Sequence, residues 1–161
     1  MVEDSDEVVR NWEEIKSEER RESRKTSVLD GVPASLPALL KAYRMTQKAA
    51  AVGFDWARPE DVIDKLHEEV AELEAEVRTG DKVALDRVRS EMGDVLFVMA
   101  NLARHLGVEP ETAMQETNSR FLRRFQGVEA LAKKAGRALS DMSLAELDGL
   151  WNQVKAEEKG L

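Results

Sequence analysis

One stretch constrains this chain more than any other: "RPEDVIDKLHEEVAELEAEVRTG", residues 58–80. Turning about 100° per residue, Val62, Ile63, Leu66, Val70, Leu73 and Val77 fall in one stripe. Pro59 suits a first helical turn, Glu60 and Asp61 complement its positive end, and Gly80 follows as a stop. Such a helix cannot bury its stripe alone, so it needs partners of the same kind. The rest of the chain supplies them. Helices are expected over 36–53, with Leu36, Leu39, Leu40 and Tyr43 on one face, over 81–107 with Asp81 as N-cap, over 109–136, and over 143–158, where Ser143 and Glu146 have capping-box spacing. No stretch alternates in polarity as a strand would. The fold class is therefore all-α, and "VLFVMANLA" is expected at the centre of a helical bundle.

Composition agrees and narrows the partners. The 161 residues allow one real core, hydrophobic residues reach 42%, aromatics only 5% and charged residues 35%. The net charge of -8 disfavours nucleic acid and anionic membranes as partners, because its field repels phosphates. It leaves room for a small anion held through metal ions or local Arg and Lys. There is no cysteine, hence no disulfide or thiolate metal site. The acidic N-terminus lacks an apolar core and no long apolar run follows, so neither a signal peptide nor a membrane span is expected, and a cytoplasmic location is.

The chemistry-bearing residues are carboxylates. Glu69, Glu72 and Glu76 line one border of the apolar stripe with Lys65, whereas Glu68 falls nearly opposite. Glu91 and Asp94 repeat the three-residue spacing in the next helix, whose apolar surroundings predict a partly buried Asp94. Gly93, in mid-helix, costs about 1 kcal/mol relative to Ala and predicts close approach of a helix or a ligand. A short turn at "TGD" makes the two helices antiparallel neighbours. Converging carboxylates repel, and a hard divalent cation such as Mg²⁺, which keeps waters and bridges to phosphates, resolves this. Any one E-x-x-E reads as an ordinary surface pair; two such sets on adjacent helices favour metal. The pair Asp64-x-x-His67 superficially matches di-iron bundles, but His67 points away from Glu69 and no second such pair exists.

"KLHEEVAELEAE" with "EMGDVLFVMANLARHLG" resembles the E-E-x-x-E…E-x-x-D signature of the MazG family of all-α nucleoside triphosphate pyrophosphohydrolases, and "TNSRFLRRF" and "LWNQVK" match further parts of its pattern. The likeness runs from about Pro37 to Lys155 and is greatest to the C-terminal domain of tandem bacterial members. It implies Mg²⁺-dependent hydrolysis of nucleoside triphosphates to monophosphate and pyrophosphate, with Mn²⁺ as a substitute ion. It also implies a homodimer that completes the bundle. Carried over, the metal ligands and catalytic carboxylates are Glu69, Glu72, Glu91 and Asp94; which of them acts as base stays open. Lys65, Asn118, Arg120, Arg124, Trp151 and Lys155 are carried over as substrate-binding residues. Arg120 stands where the family typically has Lys. Taken alone, Arg120 and Arg124 read as a solvated helix face, and Trp151 with Lys155 as a core Trp beside a snorkelling Lys. "GFDW", residues 53–56, reads as a packed interhelical loop rather than a pocket wall. A related phosphohydrolase of narrow nucleotide preference, and a non-catalytic regulatory domain, are the competing readings.

Trp12-x-x-Ile15-Lys16 repeats the pattern of Trp151-x-x-Val154-Lys155. Residues 36–161 are thus expected to form the MazG-like domain. Residues 1–35 are expected to be a charged helix and linker resembling the tail of a preceding domain, with a contact on a partner subunit as the alternative.

Overall fold

The structure, a computed structural model, describes residues 27–78 and 84–159. The N-terminal Trp12 signature, Asp81 and Gly80 lie outside the described residues. Among those described there are five α-helices and no strand, as the periodicity predicts: α1 (Ala38–Ala50), α2 (Pro59–Arg78), α3 (Leu85–His105), α4 (Pro110–Lys134) and α5 (Leu144–Lys159), with a 3₁₀ turn at Leu139–Asp141. None of the helices is long and apolar enough to cross a membrane. The chain divides into two compact units, one up to Pro110 and one from Glu111 onward.

In the first unit α3 packs against both α1 and α2. Val62 and Ala100 are fully buried, with Val98 and Asn101 close behind. α3 is therefore the central helix, as its apolar sequence predicts. It begins three residues later than Asp81 as N-cap would place it, directly after Ala84 in extended conformation, with Asp86 in its first turn. It ends in a Schellman motif: Gly107 takes a positive φ of 68°, its N–H donates to Arg104 O at 3.1 Å, and Val108 N–H donates to Ala103 O at 2.8 Å. The loop before α2 is tied to that end. Arg104 and His105 both bind Asp55 Oδ1, the His105 contact at 2.9 Å, while Arg104 also donates to Asn101 Oδ1 at 3.0 Å. Burial opposes the Asp55 charge, but these two partners outweigh it and hold its carboxyl below the usual carboxylate range. "GFDW" is thus anchored to the end of α3.

In the second unit Gly127 of α4 lets α5 approach closely. A Cβ placed there would stand 2.9 Å from Val154 Cγ2. Val128, Ala132 and Val154 are buried beside this contact. The start of α5 carries the predicted capping box. Ser143 Oγ accepts from Glu146 N–H at 3.3 Å, and Glu146 Oε2 accepts from Ser143 N–H at 2.8 Å. Arg137 joins Glu146 as well and donates to Asp141 O at 2.6 Å.

Candidate functional site

The two helices that carry the carboxylates are neighbours because their apolar faces meet. Val62, Leu66 and Leu73 turn inward on α2, while Ile63, Val70 and Val77 of the expected stripe stay exposed. The seam is therefore rotated toward the acidic border. Glu69, expected at the edge, is only 6% exposed, whereas Glu68 is solvated. Arg87 of α3 meets Glu76 of α2 at 2.9 Å, and Glu91 of α3 meets Glu69 and Glu72. Rising numbers on one helix pair with falling numbers on the other, so the helices run antiparallel, as the short connection predicts.

Glu69, Glu72 and Glu91 each bring one oxygen to within 4.8 Å of the others. Asp94 lies outside this trio and is exposed, which corrects the expectation of partial burial. On the helix wheel it shares a face with buried Val98 and Asn101, one to two turns further along, but no side chain covers it at its own level. No helix closely approaches Gly93, since a Cβ there would meet no protein atom within 4 Å; this corrects the helix alternative and leaves the open space that the ligand alternative requires. The close helical approach occurs instead at Gly127, a residue the sequence reading passes over although it too is a mid-helix glycine.

The electrostatics of the trio favour a cation. Desolvation, and then the neighbouring charges of Glu72, Asp94, Glu69 and Glu76, push the Glu91 carboxyl above the usual carboxylate range. Lys65 partly answers the excess: its Nζ is 2.7 Å from Glu69 and 2.8 Å from Glu68, and these hydrogen bonds raise its own pKa. All three clustered donors are carboxylate oxygens, the set hard divalent ions prefer. Their oxygens lie close enough together to be drawn onto one such ion. The residues present therefore fit a divalent cation. Lys65 is engaged by these carboxylates in this state rather than held out toward solvent.

The second unit holds the other candidate residues. Arg124 donates from Nε to Glu158 Oε2 at 2.7 Å and lies 5.9 Å over the Trp151 ring. Phe121 contacts both Phe125 and Trp151, with ring centroids 5.9 and 5.3 Å apart. Arg120 is exposed and donates to Thr117 Oγ1 at 3.0 Å; Asn118 is exposed and Lys155 half-buried on the next helix. Trp151 is thus half-buried in an aromatic cluster, with a guanidinium on its face. Glu158, part of the repeated terminal pattern but given no role in the sequence reading, is the acceptor that joins Arg123 and Arg124. Its four-residue spacing from Val154, along the packed face of α5, is the signal that points to it.

Two antiparallel helices bring together a trio of carboxylates that could hold a divalent cation, in an all-α chain without cysteine. Comparison with known proteins gives the lineage. Residues 57–128 match the model of the MazG nucleotide pyrophosphohydrolase domain. The chain is 42% identical over 157 residues to a nucleoside triphosphate pyrophosphohydrolase of Escherichia coli K12, covering 98% of this chain and 59% of that protein. It is 36% identical over 152 residues to the nucleoside triphosphate pyrophosphohydrolase/pyrophosphatase MazG of Thermotoga maritima, covering 93% of this chain and 56% of that one. It is 44% identical over 158 residues to the uncharacterized protein YabN of Bacillus subtilis, covering 98% of this chain and 32% of that one. Residues 57–128 thus form a domain of the MazG family. The chain spans little more than half the length of the first two relatives and about a third of the last.

Proposed function

We propose that this chain is a Mg²⁺-dependent nucleoside triphosphate pyrophosphohydrolase, cleaving between the α and β phosphates to release nucleoside monophosphate and pyrophosphate. The observation that carries this is the meeting of Glu69, Glu72 and Glu91 across two antiparallel helices. The names of the Escherichia coli and Thermotoga relatives support the substrate class.

Glu69, Glu72 and Glu91 would hold the ion, with Asp94 completing the set by a rotamer change from its exposed position. The bound ion would neutralise phosphate oxygens and lower the pKa of the attacking water. Glu69 is fixed by burial and by Lys65, so its orientation is set before substrate arrives. A carboxylate not consumed by the ion accepts the proton of the water. Arg120, Arg124 and Lys155 offer cationic contacts to the phosphates, and Trp151 an aromatic surface for the base, on the strength of the family resemblance. Lys65 belongs to the same set through its grip on Glu69. Mn²⁺ would substitute for Mg²⁺ at an all-oxygen site.

The exposed apolar residues support a homodimer. Leu85, Met92, Leu96 and Met99 form one stripe on α3, and Ile63, Val70 and Val77 recur every seven residues on α2. A stripe of this kind is ordinarily covered. Nucleic acid is not proposed as a partner, given the net charge of -8. The reading is tested by Glu69→Gln, which keeps the volume and removes the charge. Triphosphate hydrolysis should fall at least a hundredfold, with the fold retained by circular dichroism. Undiminished turnover would reject the site.

A further inference from the structure

Arg124 is held on two sides. Glu158 Oε2 accepts from its Nε at 2.7 Å, and the Trp151 ring lies under its guanidinium at 5.9 Å. Neither Nη1 nor Nη2 of Arg124 makes a hydrogen bond among the described residues. A guanidinium pinned at Nε and stacked on one face has a single edge left, the paired Nη groups, which matches the two oxygens of a phosphate. The other Glu158 oxygen, Oε1, accepts from Arg123 Nε at 2.9 Å. One carboxylate thus serves two guanidinium groups, and the cluster keeps a net positive charge in a chain of net charge -8. Lys155, three residues before Glu158 on α5, adds a further cation to that face.

We infer that Glu158 is a positioning residue: it fixes Arg124 through Nε so that the Nη edge is presented to a phosphate group of the substrate or of the pyrophosphate product. The inference rests on the reading of Arg124 as a phosphate contact given above. It assigns to Glu158 no contact with substrate. An acidic residue that merely competed with phosphate for Arg124 would act in the opposite sense, because removing it would tighten binding.

Glu158→Gln and Glu158→Ala both remove the charge, but only Gln keeps an acceptor for Nε. The difference between them therefore isolates the positioning hydrogen bond. KM and kcat for a nucleoside triphosphate with Mg²⁺, and calorimetric affinity for pyrophosphate with Mg²⁺, are measured for both variants, alone and combined with Arg124→Ala. A charge-assisted hydrogen bond of ordinary strength predicts KM roughly three- to tenfold higher for Glu158→Ala than for Glu158→Gln, with kcat within about twofold. Pyrophosphate affinity should follow the same order, and the difference should vanish in the Arg124→Ala background. Equal KM and equal pyrophosphate affinity for the two variants, or tighter binding by Glu158→Ala, would overturn the inference. Unchanged KM and pyrophosphate affinity in Arg124→Ala alone would instead overturn Arg124 as a phosphate contact, so the two failures are distinguishable.

Discussion

Glu68 and Glu69 are adjacent in sequence and opposite in consequence. Successive helical residues turn about 100°, so one neighbour faces the seam and the other faces water. That separation is legible from sequence alone, and the structure places Glu69 in the buried seam beside Glu72 and Glu91. The surroundings of Asp94 are not legible in the same way, because a wheel gives an angle and not the distance to a covering side chain. Glu91 carries a pH signature. Its folded-state pKa lies above the ordinary value of 4.5. In metal-free protein this group favours the fold below pH 4.5, and that contribution is lost as pH rises through the raised folded value. A cation reverses the sign by favouring the ionised form. Thermal unfolding should thus show a gain in Tm from Mg²⁺ that grows from pH 4.5 to 7 and is largely abolished in Glu91→Gln. A Tm indifferent to Mg²⁺ at pH 7 would count against the trio as ligands.

Helix identities were legible because each segment carries its own period and punctuation, whereas helix ends and contacts depend on partners. The Ser143–Glu146 box was readable because it is local, and Ser143→Ala should cost about 1 kcal/mol in denaturant unfolding. Hydrogen bonds from Arg137 and then Ser143 lower the Glu146 pKa to about 2. Its stabilisation is therefore present above pH 4.5 and lost as pH falls toward 2, and the stability difference between wild type and Glu146→Gln should shrink over that interval. Gly93 and Gly127, both in mid-helix, differ only in what lies beyond the helix, which the sequence does not state. Gly127→Ala should destabilise by about 1–2 kcal/mol, since overpacking against Val154 exceeds the helix-propensity gain. Gly93→Ala meets nothing within 4 Å and should stabilise by up to about 1 kcal/mol. A loss of turnover in that stabilised variant would identify the space beside Gly93 as room for substrate.

At the scale of the whole molecule, the all-α class and the meeting of Glu69, Glu72 and Glu91 were readable. The rotation of α2 about its axis was not. Ile63, Val70 and Val77 are as apolar as Val62, Leu66 and Leu73, so the sequence cannot say which flank faces α3 and which is left outside. The exposed flank and the α3 stripe of Leu85, Met92, Leu96 and Met99 predict a homodimer by light scattering, converted to monomer by Leu96→Lys; a monomeric wild type would contradict this. The central claim concerns the bond that is broken. The most direct test incubates the purified chain with a panel of nucleoside triphosphates and Mg²⁺ and identifies the products by ³¹P NMR. Pyrophosphate and nucleoside monophosphate in equal amounts, with none formed by Glu69→Gln, is the predicted result. Orthophosphate with nucleoside diphosphate would contradict it.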